Sequence, residues 1–360
     1  MISSRSSTQF PDHPMPSWYP DFPSRLRTRQ YLASYAEVFG LDRHIELDTE
    51  VLSAVPCEDR FGAPGWTVLL RADGRQQTRR YRTVTVANGH TWSPRRVRHP
   101  GQFSGVTTRS DEYWDASVSE SSRVLVIGCG NTGCDIAVDA GRAGTHSSIS
   151  MRSGTWFFPK TFLGVPLSDV PTRMPAWLRL APLEWAFGRV VLRLAVGDLR
   201  RFVDGTSADF DVVVYATGYR IDFPMLAPEL VDGQPVLCAR TASPRHRGLF
   251  FPGIGQARTG GGPLYQEAGY LCARMIAHEA GSRRGVVEDL VSLLRGRLRS
   301  RLVRPADTRS RGLGAIQRDL RLLTWLLDRV GAPGAESRRA DNTQSEADFQ
   351  KIDEADRLAG

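Results

Sequence analysis

The sequence predicts an α/β fold with a parallel sheet, and three observations carry that expectation. Apolar runs without alternation at Arg123–Ile127 and Asp211–Tyr215 suit strands buried on both faces. A glycine-rich turn follows the first run and leads into a helical stretch to about Ala143. A further strand, Ser147–Met151, arrives at the interval a βαβ unit needs.

The flanking elements follow from local pattern. Ser3–Pro23 is rich in Ser and Pro and reads as irregular. Ser24 is placed to cap a helix whose apolar stripe is Leu26, Tyr31, Leu32, Tyr35, Val38 and Phe39, with Gly40 as its stop. Short strands are expected at Ile45–Val51, Trp66–Arg71 and Thr83–Ala87, the last opening onto Asn88-Gly89. Leu249–Phe251 opens another strand, and Gly262–Glu279 reads as a helix. Val286–Val303 and Ala315–Val330 read as two amphipathic helices expected on the outside, and Gly331–Gly360 as a polar, disordered tail.

Composition excludes several classes. A charge of +8 on 360 residues invites a nucleic-acid reading. The basic residues are nearly all arginine, with Lys160 and Lys351 the only lysines, and they are interleaved with acids. No basic stripe results, so no nucleic-acid partner is expected. The five cysteines (Cys57, Cys129, Cys134, Cys238, Cys272) form no C-x-x-C pair, which argues against a disulfide framework, a metal site and a dithiol redox centre. Cys129 and Cys134 sit in the glycine turn and its helix, where small residues pack well. Met1–Pro20 has no apolar signal core, and Trp177–Val196 carries too many charges to span a membrane. The expected location is cytoplasmic. Oligomeric state is not legible.

The segment Gly128-Cys-Gly130-Asn131-Thr132-Gly133 is G-x-G-x-x-G between strand and helix. Gly128 permits the tight turn, Gly130 lets backbone approach a pyrophosphate, and Gly133 lets helix and strand pack closely. The helix start offers free N–H groups and its positive dipole end. At the end of the second strand, an NAD site needs an acid for the ribose 2′-OH. Here Ser150, Arg152 and Ser153 stand there instead, and a guanidinium suits a 2′-phosphate. NADP(H) is therefore expected over NAD(H). A short-chain dehydrogenase would need Tyr-x-x-x-Lys, but Trp156 and Ala347 precede the two lysines by four. A disulfide reductase would need paired cysteines.

Phe103-Ser-Gly105-Val-Thr-Thr-Arg109-Ser-Asp-Glu-Tyr113 resembles the flavin-containing monooxygenase fingerprint F-x-G-x-x-x-H-x-x-x-[FY]. Phe10-Pro-Asp-His-Pro-Met-Pro16, Asn88-Gly89-His90, Asp211–Tyr219 and Phe250-Phe-Pro-Gly253-Ile-Gly-Gln256 resemble the same family in the same order, over Ser3 to Glu279. The resemblance implies FAD beside NADPH. It implies oxygenation of a soft nucleophile, an amine or thioether, by O2 through a C4a-hydroperoxyflavin, with no catalytic side chain expected. It implies that Ala216, Thr217 and Gly218 mark a crossing between cofactor domains, and that Gly253 and Gln256 lie near the flavin. The implied architecture is a Rossmann-like NADP domain, 116–218, inserted in a remnant of an FAD domain, 1–115 and 219–285, with helices over 286–330 and the tail over 331–360.

The chain departs from that pattern. It holds no first G-x-G-x-x-G for the FAD pyrophosphate, Ile2 stands where the pattern has asparagine, and Arg109 replaces the fingerprint histidine. The stretch between Val196 and Gly205 is short for the family. Two readings follow: a monooxygenase whose recorded start is too late, or a truncated, inactive relative that binds NADP(H). The second expects the 360-residue chain to purify colourless and to lack NADPH oxidase activity.

Overall fold

The computed structural model describes residues 3–143, 146–152, 159–162, 164–170, 208–231, 236–254, 261–292 and 303–305, with Leu323 and Leu327. Two compact units result: 3–89 with 222–360, and 90–221. The stretch Trp177–Val196, the helix expected over Ala315–Val330 apart from Leu323 and Leu327, the tail, Ser153 and Gln256 lie outside the described residues.

In the first segment of unit one a single helical turn, Arg5–Thr8, capped by Ser4, interrupts the stretch expected to be irregular; α1 (Arg25–Val38) follows, where Ser24 Oγ accepts from the Arg27 amide as the cap requires. Its buried face differs from the expected stripe. Gln30, Tyr31 and Ser34 are buried, while Leu26 and Leu32 are exposed. The reason is the Phe10–Pro16 segment, which lies against α1. The Tyr31 hydroxyl accepts from the Phe10 amide at 2.6 Å and donates to the His13 carbonyl at 2.8 Å. Aromatic partners, not leucines, therefore bury the helix.

Next come β1 (Thr49–Glu58), β2 (Pro64–Ala72) and β3 (Arg75–Tyr81), an antiparallel meander. The expected strand Ile45–Val51 begins later, at Thr49, because Asp48 takes φ +52° and interrupts the extended backbone just before it. β3, Arg-Gln-Gln-Thr-Arg-Arg-Tyr, has no apolar alternation and was not expected. It forms because Asp73 and Gly74 both take positive φ, the two-residue turn that closes a hairpin. Ala54, Trp66, Val68 and Leu70 bury one face of the sheet. β4 (Val84–Thr85) then leads towards Gly89.

Unit two begins with β5 (Ser93–Pro94), followed by β6 (Val106–Arg109) and β7 (Val124–Ile127). After β7 come α2 (Asn131–Arg142), β8 (Ser147–Ser150), β9 (Val212–Tyr215) and β10 (Tyr219–Arg220). β6, β9, β7 and β8 lie side by side in that order, all parallel. Val124, Val126, Val212 and Val214 fill the sheet against Ile136, Ala137 and Ala140 of α2. That is the buried parallel sheet the apolar runs imply.

The chain returns to unit one with β11 (Val236–Cys238), β12 (Leu249–Phe250), α3 (Gly262–Gly281), α4 (Val286–Ser292) and β13 (Val303–Pro305). β12 runs parallel to β4, and β13 pairs antiparallel with β11. The expected helix Val286–Val303 is therefore wrong at its end, since Val303 opens a strand. Nor do the C-terminal residues all lie outside: Leu323 and Leu327 are buried with Leu271, Met275 and Leu290. Buried Glu279 closes the turn from α3 to α4, accepting from Arg247 Nε at 2.7 Å and from the Val286 amide at 2.8 Å.

The ends of β7 and β9 are clamped by one ion pair. Asp211 accepts from the Arg123 amide at 2.8 Å and from its guanidinium at 3.1 and 3.0 Å. These bonds to the charged form lower the Asp211 carboxyl to about 2. A lowered folded value gives stability above the unfolded value of ~3.9 that is lost as pH falls through the folded one. Denaturant unfolding of D211N should therefore be easier than wild type at pH 5. The gap should close between pH ~4 and pH ~2; a gap that stays constant over that range would show that the clamp does not stabilise the sheet.

Candidate functional site

Three backbones converge at the end of β7. Gly128 takes φ +115°, and a Cβ there would lie 2.3 Å from the Ala216 carbonyl oxygen. A Cβ on Gly133 would lie 2.1 Å from the Gly128 oxygen and 3.3 Å from Ala216 Cβ. Real contacts between such atoms are well over 3 Å, so neither position admits a side chain. At Gly130 the case is opposite: a Cβ would meet nothing within 4 Å. Two glycines are thus demanded by packing, and the third faces open space.

That open space lies at the N-terminus of α2. Gly130 caps the helix in extended backbone, without a side-chain bond to the first turn. The leading N–H groups of a helix have no intrahelical partner, and here they belong to Asn131, Thr132 and Gly133. Asn131 and Thr132 are exposed. N–H donors, the positive dipole end and a gap kept clear by Gly130 make a cradle for a phosphate anion. A diphosphate fits these residues.

Ser150 ends β8, directly beside Ile127 in register, and its carbonyl accepts from the Gly128 amide at 2.9 Å. Arg152 follows it and is exposed. Register alone therefore brings Ser150 to the glycine turn, with Arg152 two residues beyond. Ala216, Thr217 and Gly218 also reach the turn, because β9 neighbours β7. The Ala216 amide donates to the Ile127 carbonyl at 2.9 Å. Thr217 Oγ1 donates to the Arg95 carbonyl at 2.7 Å, and the Arg95 amide donates back to the Gly218 carbonyl at 2.8 Å. These three residues fix the outgoing strand against the incoming one at β5.

The fingerprint residues are scaffolding of the same unit. A Cβ on Gly105 would fall 2.3 Å from the Asp211 oxygen, so glycine lets β6 enter the sheet beside β9. Tyr113 donates to Asp139 of α2 at 3.0 Å. Arg109 pairs with Asp111 at 3.3 Å and Glu112 at 2.5 Å, within its own turn. Its charge is answered locally.

Gly253, in unit one, takes φ +80° with Tyr265 3.7 Å from where its Cβ would be. The start of α3 packs against the carbonyls of Thr8 and Gln9, 2.0 and 2.3 Å from a Cβ on Gly262. The 360 residues hold one G-x-G-x-x-G, and it lies in unit two. In unit one, α3 likewise starts behind a glycine, Gly261, with no side-chain bond to its first turn. Among the described residues, no group of three or more His, Cys, Asp or Glu is placed to hold a metal. No described helix is long and apolar enough to cross a membrane.

Spacing concealed one pairing. Cys129 and Cys134, five residues apart, come to 3.8 Å Sγ to Sγ because the turn folds back onto the first turn of α2. The signal was the G-x-G-x-x-G itself, whose reversal brings flanking residues together.

Opposite outcomes are expected for two of the glycines. Gly133→Ala should cost about 1–3 kcal/mol of stability through overpacking. Gly130→Val should leave the melting temperature close to wild type and abolish nucleotide binding. Thermal melts with NADPH titration check both. A stable Gly133→Ala, or a Gly130→Val with wild-type affinity, contradicts this geometry.

Comparison with known proteins agrees with this arrangement. The flavin-binding monooxygenase-like family model matches residues 1–176. Human flavin-containing monooxygenase 2 is 28% identical over 282 residues, covering 64% of this chain and 53% of its own. The chain thus spans about half the length of the curated relatives it matches. Two solved structures share the fold. S-allyl-L-cysteine S-oxygenase from Allium sativum has a TM-score of 0.59 at 20% identity, covering 99% of this chain and 78% of that one. Cyclohexanone monooxygenase from Rhodococcus sp. Phi1 bound to NADP+ has a TM-score of 0.59 at 15% identity, covering 92% and 88%. With the fingerprint, the glycine turn and the parallel sheet in place, residues 1–176 are similar to the flavin-binding monooxygenase-like family.

Proposed function

We propose that unit two binds NADP(H), with the diphosphate over Gly130 and the 2′-phosphate at Arg152, in the service of flavin-dependent monooxygenation. The observation that carries the binding step is the asymmetry of the glycines, two closed by backbone and one open at a helix N-terminus. Asn131 and Thr132 present the leading amides, Gly133 brings α2 close to β7, and Ser150 holds the Gly128 amide so that the turn keeps its shape. Arg152 is exposed and lies in a sequence position where an acid would favour NAD(H).

The overall reaction we assign is oxygenation of a soft nucleophile, an amine or thioether, by O2 with NADPH as reductant. Similarity to the family over residues 1–176 supports it, as do the N-oxide-forming and S-oxygenase names carried by a relative and a structural neighbour. A flavin is the group that supplies oxygen activation in such a reaction. The residues of this chain bind and orient the nucleotide; none is assigned as an acid, base or nucleophile. We place the protein in the cytoplasm, with a small-molecule substrate and no nucleic-acid partner.

A second reading is favoured by Arg109 in place of the fingerprint histidine: an NADP(H)-binding relative that does not turn over. The visible spectrum of the purified protein separates the two. Bound flavin with NADPH-dependent O2 uptake supports the monooxygenase. NADPH binding by a colourless, inactive protein supports the second reading, and a chain that binds no NADPH refutes both.

Arg152→Ala should weaken NADPH by roughly ten- to a hundredfold, the loss of one charge-assisted contact of about 1.5–3 kcal/mol. NADH, which lacks the 2′-phosphate, should hardly change. Equal losses for the two nucleotides, measured by fluorescence titration, would show that Arg152 is a bystander.

A further inference from the structure

We propose that Cys129 and Cys134 form a redox-modification site at the mouth of the glycine turn, closed to a disulfide by a hydroperoxide and protected by bound NADP(H). The inference rests on the NADP(H) reading above. Cys129 sits between Gly128 and Gly130, Cys134 in the first turn of α2, and both are free and half-buried. Their sulfurs are 3.8 Å apart, against ~2.05 Å in a disulfide, so closure asks for an approach of about 1.8 Å. The intervening Gly130 meets nothing within 4 Å of where a Cβ would stand, so this part of the turn has room to move.

The other cysteines lack such a partner among the described residues. Cys238 and Cys272 are buried in the apolar core, which pushes their thiols up to about 12 and about 11. Cys57 lies on β1. Burial and the contact with Cys129 likewise raise the Cys134 thiol to about 11.

The chemistry balances with one hydroperoxide. The Cys129 sulfur attacks the peroxide O–O bond, giving a sulfenic acid and releasing an alcohol, or water from hydrogen peroxide. Cys134 then displaces hydroxide from that sulfur, its proton leaves with the hydroxide as water, and the S–S bond forms. Two electrons pass from two thiols to the peroxide. The bond draws the turn and the first turn of α2 together by about 1.8 Å at the residues that would cradle a diphosphate, so oxidation and nucleotide binding oppose one another. By linkage, each weakens the other by the same factor.

Trypsin cuts after Arg123 and Arg142, so both cysteines fall on one peptide, 124–142, with no other cysteine. Full-length protein would be reduced, desalted and treated with stoichiometric hydrogen peroxide, with and without saturating NADP+. Three results are expected. The peptide loses two hydrogens, dithiothreitol restores them, and NADP+ suppresses the loss. NADPH affinity falls at least tenfold in the oxidised protein and recovers on reduction. In C134S the two-hydrogen loss is absent and Cys129 carries added oxygen instead. Peptide 124–142 retaining both thiols under treatment that oxidises free glutathione would overturn the proposal, as would a disulfide form with unchanged NADPH affinity. A reduced chain that does not bind NADPH overturns the nucleotide reading separately, and the peptide mass then decides the cysteine pair on its own.

Discussion

The second unit depends on one close approach, that of the β9 exit to the β7 turn. Ala216 carbonyl, Gly128 and Gly133 stand where ordinary side chains would overlap by more than an ångström. That contact lets β9 lie beside β7, seats α2 on the sheet and aims the helix N-terminus outward. Burial of valines supplies cohesion, but apolar burial is non-directional. The glycines decide where the backbone runs, and hence where N–H donors point.

Legibility in the sequence followed the range of the interactions. β7, α2 and β9 were readable within a residue or two, since continuous apolar runs and a strand–turn–helix motif are local signals. β3 was not, because its seven residues are mostly polar and its strand character comes from pairing with β2. Asp73-Gly74 was the available clue. The α1 face was misread for a related reason. Leucine and tyrosine score alike in a periodicity count, and only tyrosine has the hydroxyl that pins Phe10 and His13. The strand at Val303 could not be foreseen either, since its partner is Val236–Cys238, far back in the chain.

The candidate site was legible for the same reason as its fold: each glycine's role is a steric one that sequence spacing encodes. Position in register supplied the rest, placing Ser150 and Ala216 at the turn without any side-chain signal. What spacing could not convey was side-chain proximity across the turn. The two cysteines at 3.8 Å illustrate it, because a five-residue separation means nothing until the reversal is known.

The fingerprint bears on how family resemblance should be weighed. Gly105 admits β6 against Asp211, Tyr113 bonds Asp139 of α2, and Asp211 is clamped by Arg123. Each of these contacts holds the sheet or its helix, and none reaches the open face at Gly130. A motif built from such residues reports that the nucleotide unit is assembled. Arg109 fits this view, since its charge is balanced by Asp111 and Glu112 and the strand pairing beside Tyr215 is retained. The fingerprint is therefore an argument about architecture. Evidence of turnover has to come from the open face at Gly130 and from whatever oxidant-handling group accompanies it.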